Sequence, residues 1–112
     1  MKLVTAVVRP ERLDDVIRAV SAAGARGLTA TEAKGFGQQY GHMGSPAPPD
    51  WQAALRPKLE IRVLVHEAIA DHVASAIAKA VNTGTIGDGK IWVSPVDTAI
   101  RVRTGERGEG AV

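Results

Sequence analysis

An α+β fold made of two strand-helix-strand halves is what the sequence predicts, and three observations carry the prediction. Two segments repeat apolar residues at helical spacing. Others alternate or run apolar as strands do, and the two kinds of segment follow one another in turn along 112 residues. Lys2 to Val8 is rich in Val and Leu and stops at Arg9-Pro10, as a buried strand does. Leu13, Val16, Ile17 and Val20 then fall at i, i+3, i+4 and i+7, on one helical face, with Gly24 as the C-terminal stop. Leu28 to Lys34 alternates apolar or small residues with Thr29, Thr31 and Lys34, the pattern of a half-solvated strand.

After a long intervening stretch, Leu59, Ile61, Val63 and Val65 alternate with Glu60, Arg62 and Leu64, a period-two strand ending near His66. Ile69, Val73, Ile77 and Val81 recur every fourth residue beside Ala70, Ala74 and Ala78, a second helix closed by Asn82 to Gly84. Strands are expected at Lys90 to Val93 and, shorter, at Asp97 to Arg103, with Trp92 as a core aromatic. This order resembles a ferredoxin-like split βαβ plait with a long loop between its second and third strands. One sheet face of such a plait packs the helices. The other must find cover, and self-association is a reasonable way to provide it.

The bulk composition narrows the function. The chain is long enough for one domain, residues 1–112, and folding at this size removes very roughly 65% of the surface the unfolded chain exposes. Fourteen basic residues are scattered among twelve acidic ones, a net charge of only +2, so the footprint of a nucleic-acid binder is missing. With no cysteine there is no disulfide framework, thiolate metal site or cysteine nucleophile. The apolar run at the N-terminus is too short for a signal peptide or a span, so a soluble cytoplasmic protein without membrane insertion is expected. His42, His66 and His72 are scattered, and no histidine metal site is expected from them.

The stretch richest in chemistry is Thr83 to Val93, TGTIGDGKIWV. Gly84, Gly87 and Gly89 allow close backbone approach and an anion cradle of N–H groups, and Lys90 adds a point charge suited to phosphate. A magnesium-holding P-loop is ruled out, because Ile91 stands where Ser or Thr is required and a strand follows instead of a helix. A plain glycine turn with an exposed lysine fits the same residues. Arg101 and Arg103, at i and i+2 of the last expected strand, would project from one face and converge on one anion, although a charged edge strand reads the same way.

TGTIGDGKIWV, followed by RVRTGERGE and preceded in order by MKLVTAVVRPERLDDV, GLTATEAKGFGQQYGH and RPKLEI, resembles the PII nitrogen-regulatory signal proteins over nearly the whole chain. The resemblance implies a homotrimer binding ATP or ADP in clefts between subunits. It places Thr29 and Leu64 at the adenine, Gly87, Asp88, Gly89 and Lys90 (residues 83–90 being the phosphate-binding turn) around the phosphates, and Arg101 and Arg103 on the phosphates from the adjacent subunit. Gly35, Gly37, Gln39 and Lys58 also match nucleotide-binding positions, and Gln38 occupies another without matching it. Gln39 would hold the magnesium ion, present only with ATP, that chelates 2-oxoglutarate, while Gly41 and Lys58 complete the effector site. An amide oxygen suits a hard cation and an ammonium suits a carboxylate.

Residues 37–56 correspond to the family's long effector loop, which docks onto a regulated enzyme, transporter or regulator, and residues 104–112 to its C-terminal tail. The loop tip departs from the pattern: Pro46, Ala47, Pro48, Pro49, Asp50 and Trp51 replace a motif rich in Tyr, Arg and Gly. Trp51 has no hydroxyl to modify, and Ala47 stands where the family carries the basic residue inserted into the ammonium-channel pore. The prolines bias Gly41 to Pro57 toward extended geometry and away from helix, and Pro48 with Trp51 is the expected partner contact. Gln38 stands where an arginine touches the terminal phosphate, and Arg62 where an acidic residue lies close to the adenosine. The leading expectation is a non-enzymatic regulator of nitrogen and carbon metabolism. The alternative is a divergent sensor of ADP or AMP, with bicarbonate as effector, tied to inorganic-carbon uptake or metal efflux. A slow nucleotide hydrolase is the competing class, but no paired carboxylate or general base stands beside Gly87 to Lys90.

Overall fold

In a computed structural model of the protein, residues 1–37 and 50–112 are described. Their order is β1 (Lys2–Val8), α1 (Leu13–Ala22), β2 (Thr29–Gly35), β3 (Arg56–Val65), α2 (Ala70–Val81) and β4 (Lys90–Pro95). The four strands form one antiparallel sheet in the order β2-β3-β1-β4, with both helices on one face, the ferredoxin-like α+β plait.

Pro10 opens a single 3₁₀ turn, Pro10–Arg12, that leads into α1, its missing N–H falling where a helix has no use for one. The helix ends on Gly24 at φ +99, and two bonds close a Schellman motif: Gly24 N–H to Ser21 O at 3.2 Å and Ala25 N–H to Val20 O at 3.0 Å. Val4, Ala6 and Val8 of β1 and Ile61, Val63 and Val65 of β3 meet Val16, Val20, Val73 and Ile77 of the helices, all fully or almost fully buried. Strand alternation sends the intervening side chains to the opposite face.

That opposite face is open in the single chain. Thr29, Arg62, Thr5 and Trp92 stand in one row across it, paired in register strand by strand. Trp92 is therefore 44% exposed instead of lying in the core, because Ile91 and Val93, not Trp92, point toward the helices.

Three further expectations are corrected. Asp97 to Arg103 does not form a strand: Ile100 makes one isolated bridge to Arg107, and residues 102–104 turn. Gly105 N–H donates to Arg101 O at 2.7 Å and Gly105 and Gly108 hold left-handed φ of +74 and +71, which folds the chain back before a ladder can extend. At the other end of the long loop, β3 begins at Arg56, with Pro57 opposite Lys34. Just before β3, Trp51 opens a 3₁₀ turn, Trp51–Ala54, in a stretch expected to be extended, and the Asp50 carboxylate caps it by accepting from Gln52 N–H at 3.0 Å; the proline tip, residues 46–49, lies outside the described residues.

Candidate functional site

The glycine turn between α2 and β4 is shaped by the sheet beneath it. The antiparallel register that pairs Val7 with Lys90 brings Arg9, just past β1, beside Asp88, and the register of β1 with β3 brings it beside Lys58. Arg9 reaches into the turn. Its Nη1 donates to Asp88 Oδ1 at 2.5 Å, and its Nη2 to Ile86 O at 2.8 Å and Thr85 Oγ1 at 3.2 Å. The Asp88 carboxylate also accepts from Thr83 N–H at 2.8 Å, Gly84 N–H at 2.9 Å and the Thr83 hydroxyl.

Two backbone donors of the turn, the Thr83 and Gly84 N–H groups, thus converge on one anion, and that anion is the turn's own aspartate. The Thr83 hydroxyl and amide, with Arg9 and the Gly84 amide, hold the Asp88 acid well below the usual carboxylate range. Asp88 is a structural anchor of the turn. Arg9 is the residue that sequence reading missed; the signal was its register, one step beyond the end of β1.

The glycines are required by geometry. A Cβ on Gly89 (φ +114) would stand 2.0 Å from Val7 O, a backbone atom that cannot retreat, and one on Gly87 (φ +100) 3.0 Å from Arg9 Nη2. Lys58 Nζ donates to Gly87 O at 3.2 Å, and Gly35 packs on the Lys58 stem, where an added Cβ would lie 3.7 Å from Cγ. Gly35, Lys58, Gly87, Asp88, Gly89 and Lys90 are thereby brought to one end of the sheet. Gly37 has open space where a side chain would begin. Beside the turn a groove of about 480 Å³ is lined by Lys79, Asn82, Asp88, Gly89 and Lys90, so Lys79 of α2 is a second cation that sequence reading did not single out.

Thr29, Leu64 and Arg101 lie elsewhere. They line a second groove, about 630 Å³, together with Leu3, Arg26 and Arg62, and with Ala111 and Val112 of the tail. Six residue steps along β3 separate Leu64 from Lys58, roughly 20 Å of strand. Arg101 is held by Glu106, through Nη1 to Oε1 at 2.9 Å and through its N–H to Glu106 O at 2.9 Å. Arg103 stands in the exposed turn and does not share a strand face with Arg101. Glu109, a surface residue, pins the tail: it accepts from the Met1 amino group at 3.1 Å and pairs with His66 Nδ1, and these contacts, His66 first, lower its pKa from 4.5.

Gln38, Gln39, Gly41 and Pro48, with the rest of residues 38–49, lie outside the described residues. Among the described residues no cluster of three or more His, Asp or Glu side chains could hold a metal ion, and no helix is long and apolar enough to cross a membrane. Trp51 and Phe36, both about half exposed, approach with ring centroids 5.6 Å apart at the base of the loop.

The family model described as nitrogen regulatory protein P-II matches residues 1–106. The chain belongs to the P-II family. It is 41% identical over all 112 residues to nitrogen regulatory protein P-II of Azospirillum brasilense, and 44% identical, again over the full length of both chains, to nitrogen regulatory protein GlnK of Escherichia coli K12. It is 45% identical to nitrogen regulatory protein P-II 2 of Methanothermobacter thermautotrophicus, covering 100% of this chain and 97% of that one. All three relatives are nitrogen regulatory proteins by name, as is the family to which the chain belongs.

Proposed function

We propose that this P-II protein is a non-enzymatic signal-transduction regulator that binds ATP or ADP between neighbouring subunits of a homotrimer. The observation that carries the reading is the separation of the matched residues into two sets at opposite ends of one open sheet face. Gly35, Lys58 and Gly87 to Lys90 form one set; Thr29, Leu64 and Arg101 line the groove at the other end. One nucleotide does not span both within a chain. Two copies meeting through their open faces bring the turn of one to the second groove of the next, and the same contact covers Trp92.

In this arrangement Gly87, Gly89 and Lys90 take the phosphates of ATP or ADP, Asp88 and Arg9 keep the turn in shape, and Thr29 and Leu64 receive the adenine. Arg101 and Arg103 reach the phosphates from the adjacent subunit. Gln39 and Gly41, with Lys58, form the effector site for 2-oxoglutarate; the Gln39 amide oxygen and the ATP phosphates supply hard oxygen ligands for Mg²⁺. The long loop carries the readout, with Pro48 and Trp51 meeting a regulated enzyme, transporter or regulator. The ring pair of Phe36 and Trp51 gives that contact a large apolar surface at the loop base. Ligand control of this kind needs differential affinity for two loop states and no catalytic step.

Titration calorimetry tests the reading. ADP binds the wild type, and Lys90→Ala weakens it by about tenfold or more, the worth of one charge-assisted contact. No nucleotide binding to the wild type contradicts it. In the same cell 2-oxoglutarate binds only with Mg-ATP present; equal affinity with and without Mg-ATP removes the effector part.

A further inference from the structure

We propose that the second groove recognises a phosphate group on the ribose, so that this P-II protein prefers adenine nucleotides phosphorylated on the sugar as well as on the 5′ chain. The inference rests on the nucleotide reading above and specifies its ligand class. Three arginines, Arg26, Arg62 and Arg101, line one groove together with Leu3 and Leu64. Arg101 already has a partner in Glu106 at 2.9 Å. Arg26 and Arg62 form no ion pair among the described residues.

Two cations that share one concave site without an ion-pair partner among the described residues favour an anion that can sit between them. An adenine ring offers a face for one guanidinium to stack on and supplies no negative charge. On the reading above the 5′ phosphates lie on Gly87 to Lys90 of the neighbouring copy and take Arg101 of this groove as their partner, which leaves Arg26 and Arg62 to the nucleoside end. Arg62 lies at the centre of β3 with Thr29 opposite it on β2 and Thr5 opposite it on β1, so its side chain leaves the open face beside the Thr29 hydroxyl. Arg26 enters the groove from the segment that links α1 to β2. Both guanidinium groups therefore border the nucleoside end of a ligand whose 5′ end points away. A monoester phosphate on the 2′ or 3′ oxygen presents the planar-fork acceptors that paired arginines bind best.

Calorimetry with AMP, adenosine 3′,5′-bisphosphate and adenosine 2′,5′-bisphosphate, on the wild type, Arg62→Gln and Arg26→Gln, isolates the ribose phosphate, since the bisphosphates differ from AMP by that group alone. At least one bisphosphate is expected to bind the wild type about tenfold tighter than AMP, and the better of the two identifies the 2′ or 3′ position. In both variants the ratio of bisphosphate to AMP affinity falls toward one. A wild-type ratio near one overturns the inference, as does an Arg62→Gln variant that loses AMP and bisphosphate affinity by the same factor, which marks Arg62 as a stacking partner of the base. If ADP binds while the ratio is near one, only this inference fails. If no nucleotide binds at all, the nucleotide reading fails with it.

Discussion

Two glycine-bearing turns of this P-II protein look alike in sequence and are built differently. Thr83 to Lys90 and Arg101 to Gly108 each hold left-handed glycines and an arginine-carboxylate pair. In the first, the pair joins residues 79 apart, because the sheet register delivers Arg9 to Asp88. In the second it joins Arg101 to Glu106, five residues on, and stands largely in solvent. Tertiary structure dictates the shape of the first turn, and local conformation that of the second. A ligand site needs the former, since a cradle that must be ordered on binding loses affinity to that ordering.

The contrast is tested most severely at the glycines. Gly89→Ala places a Cβ against Val7 O and is expected to destabilise the protein by on the order of 3 kcal/mol, the left-handed backbone and the clash acting together. Gly105→Ala meets nothing within 4 Å and carries only the backbone term, about 1 kcal/mol. Urea denaturation of both variants measures the gap; equal losses would remove the distinction between the turns.

The ion pairs give the next largest effect. Arg101→Ala removes an exposed local pair and should cost about 1 kcal/mol or less. Arg9→Ala removes donors to Asp88, Thr85 and Ile86 at once, and should lower the urea midpoint by at least about twice as much.

The smallest effect is in acid. The folded-state pKa of Asp88 is depressed, so what its ionisation contributes is complete above its ordinary value of 3.8 and is lost only as pH falls from there toward the folded value. The Thr83 and Gly84 amide resonances should therefore stay fixed from pH 7 to about pH 4 and move only below it. A midpoint above 3.8 would mean that the carboxylate is not held as described.

Much of this was legible in the sequence. The periodicities of Leu13 to Val20, Leu59 to Val65 and Ile69 to Val81 gave the two helices and β3 because burial on one face writes directly into residue spacing. Gly87, Gly89, Lys90 and Lys58 were legible as a group through the family pattern, and the structure brings them together. Arg9 was not, since its partner lies 79 residues away and only the strand register joins them. Trp92 was misplaced because an apolar side chain reads alike whether it faces a core or the open face of a sheet. The strand expected at Asp97 to Arg103 failed for a local reason: apolar alternation does not reveal that Gly105 and Gly108 turn the chain back.

The central claim is that the nucleotide site is completed only by two chains, and mixing variants tests it directly. Lys90→Ala disables the turn set and Arg101→Ala the groove set, so each variant alone should bind ADP weakly. If the site joins the two sets across an interface, co-refolding the two variants in equal amounts restores wild-type affinity at about one site in four, where an intact turn meets an intact groove. A mixture that binds ADP no better than either variant alone would place both sets in the same chain's site and contradict the account.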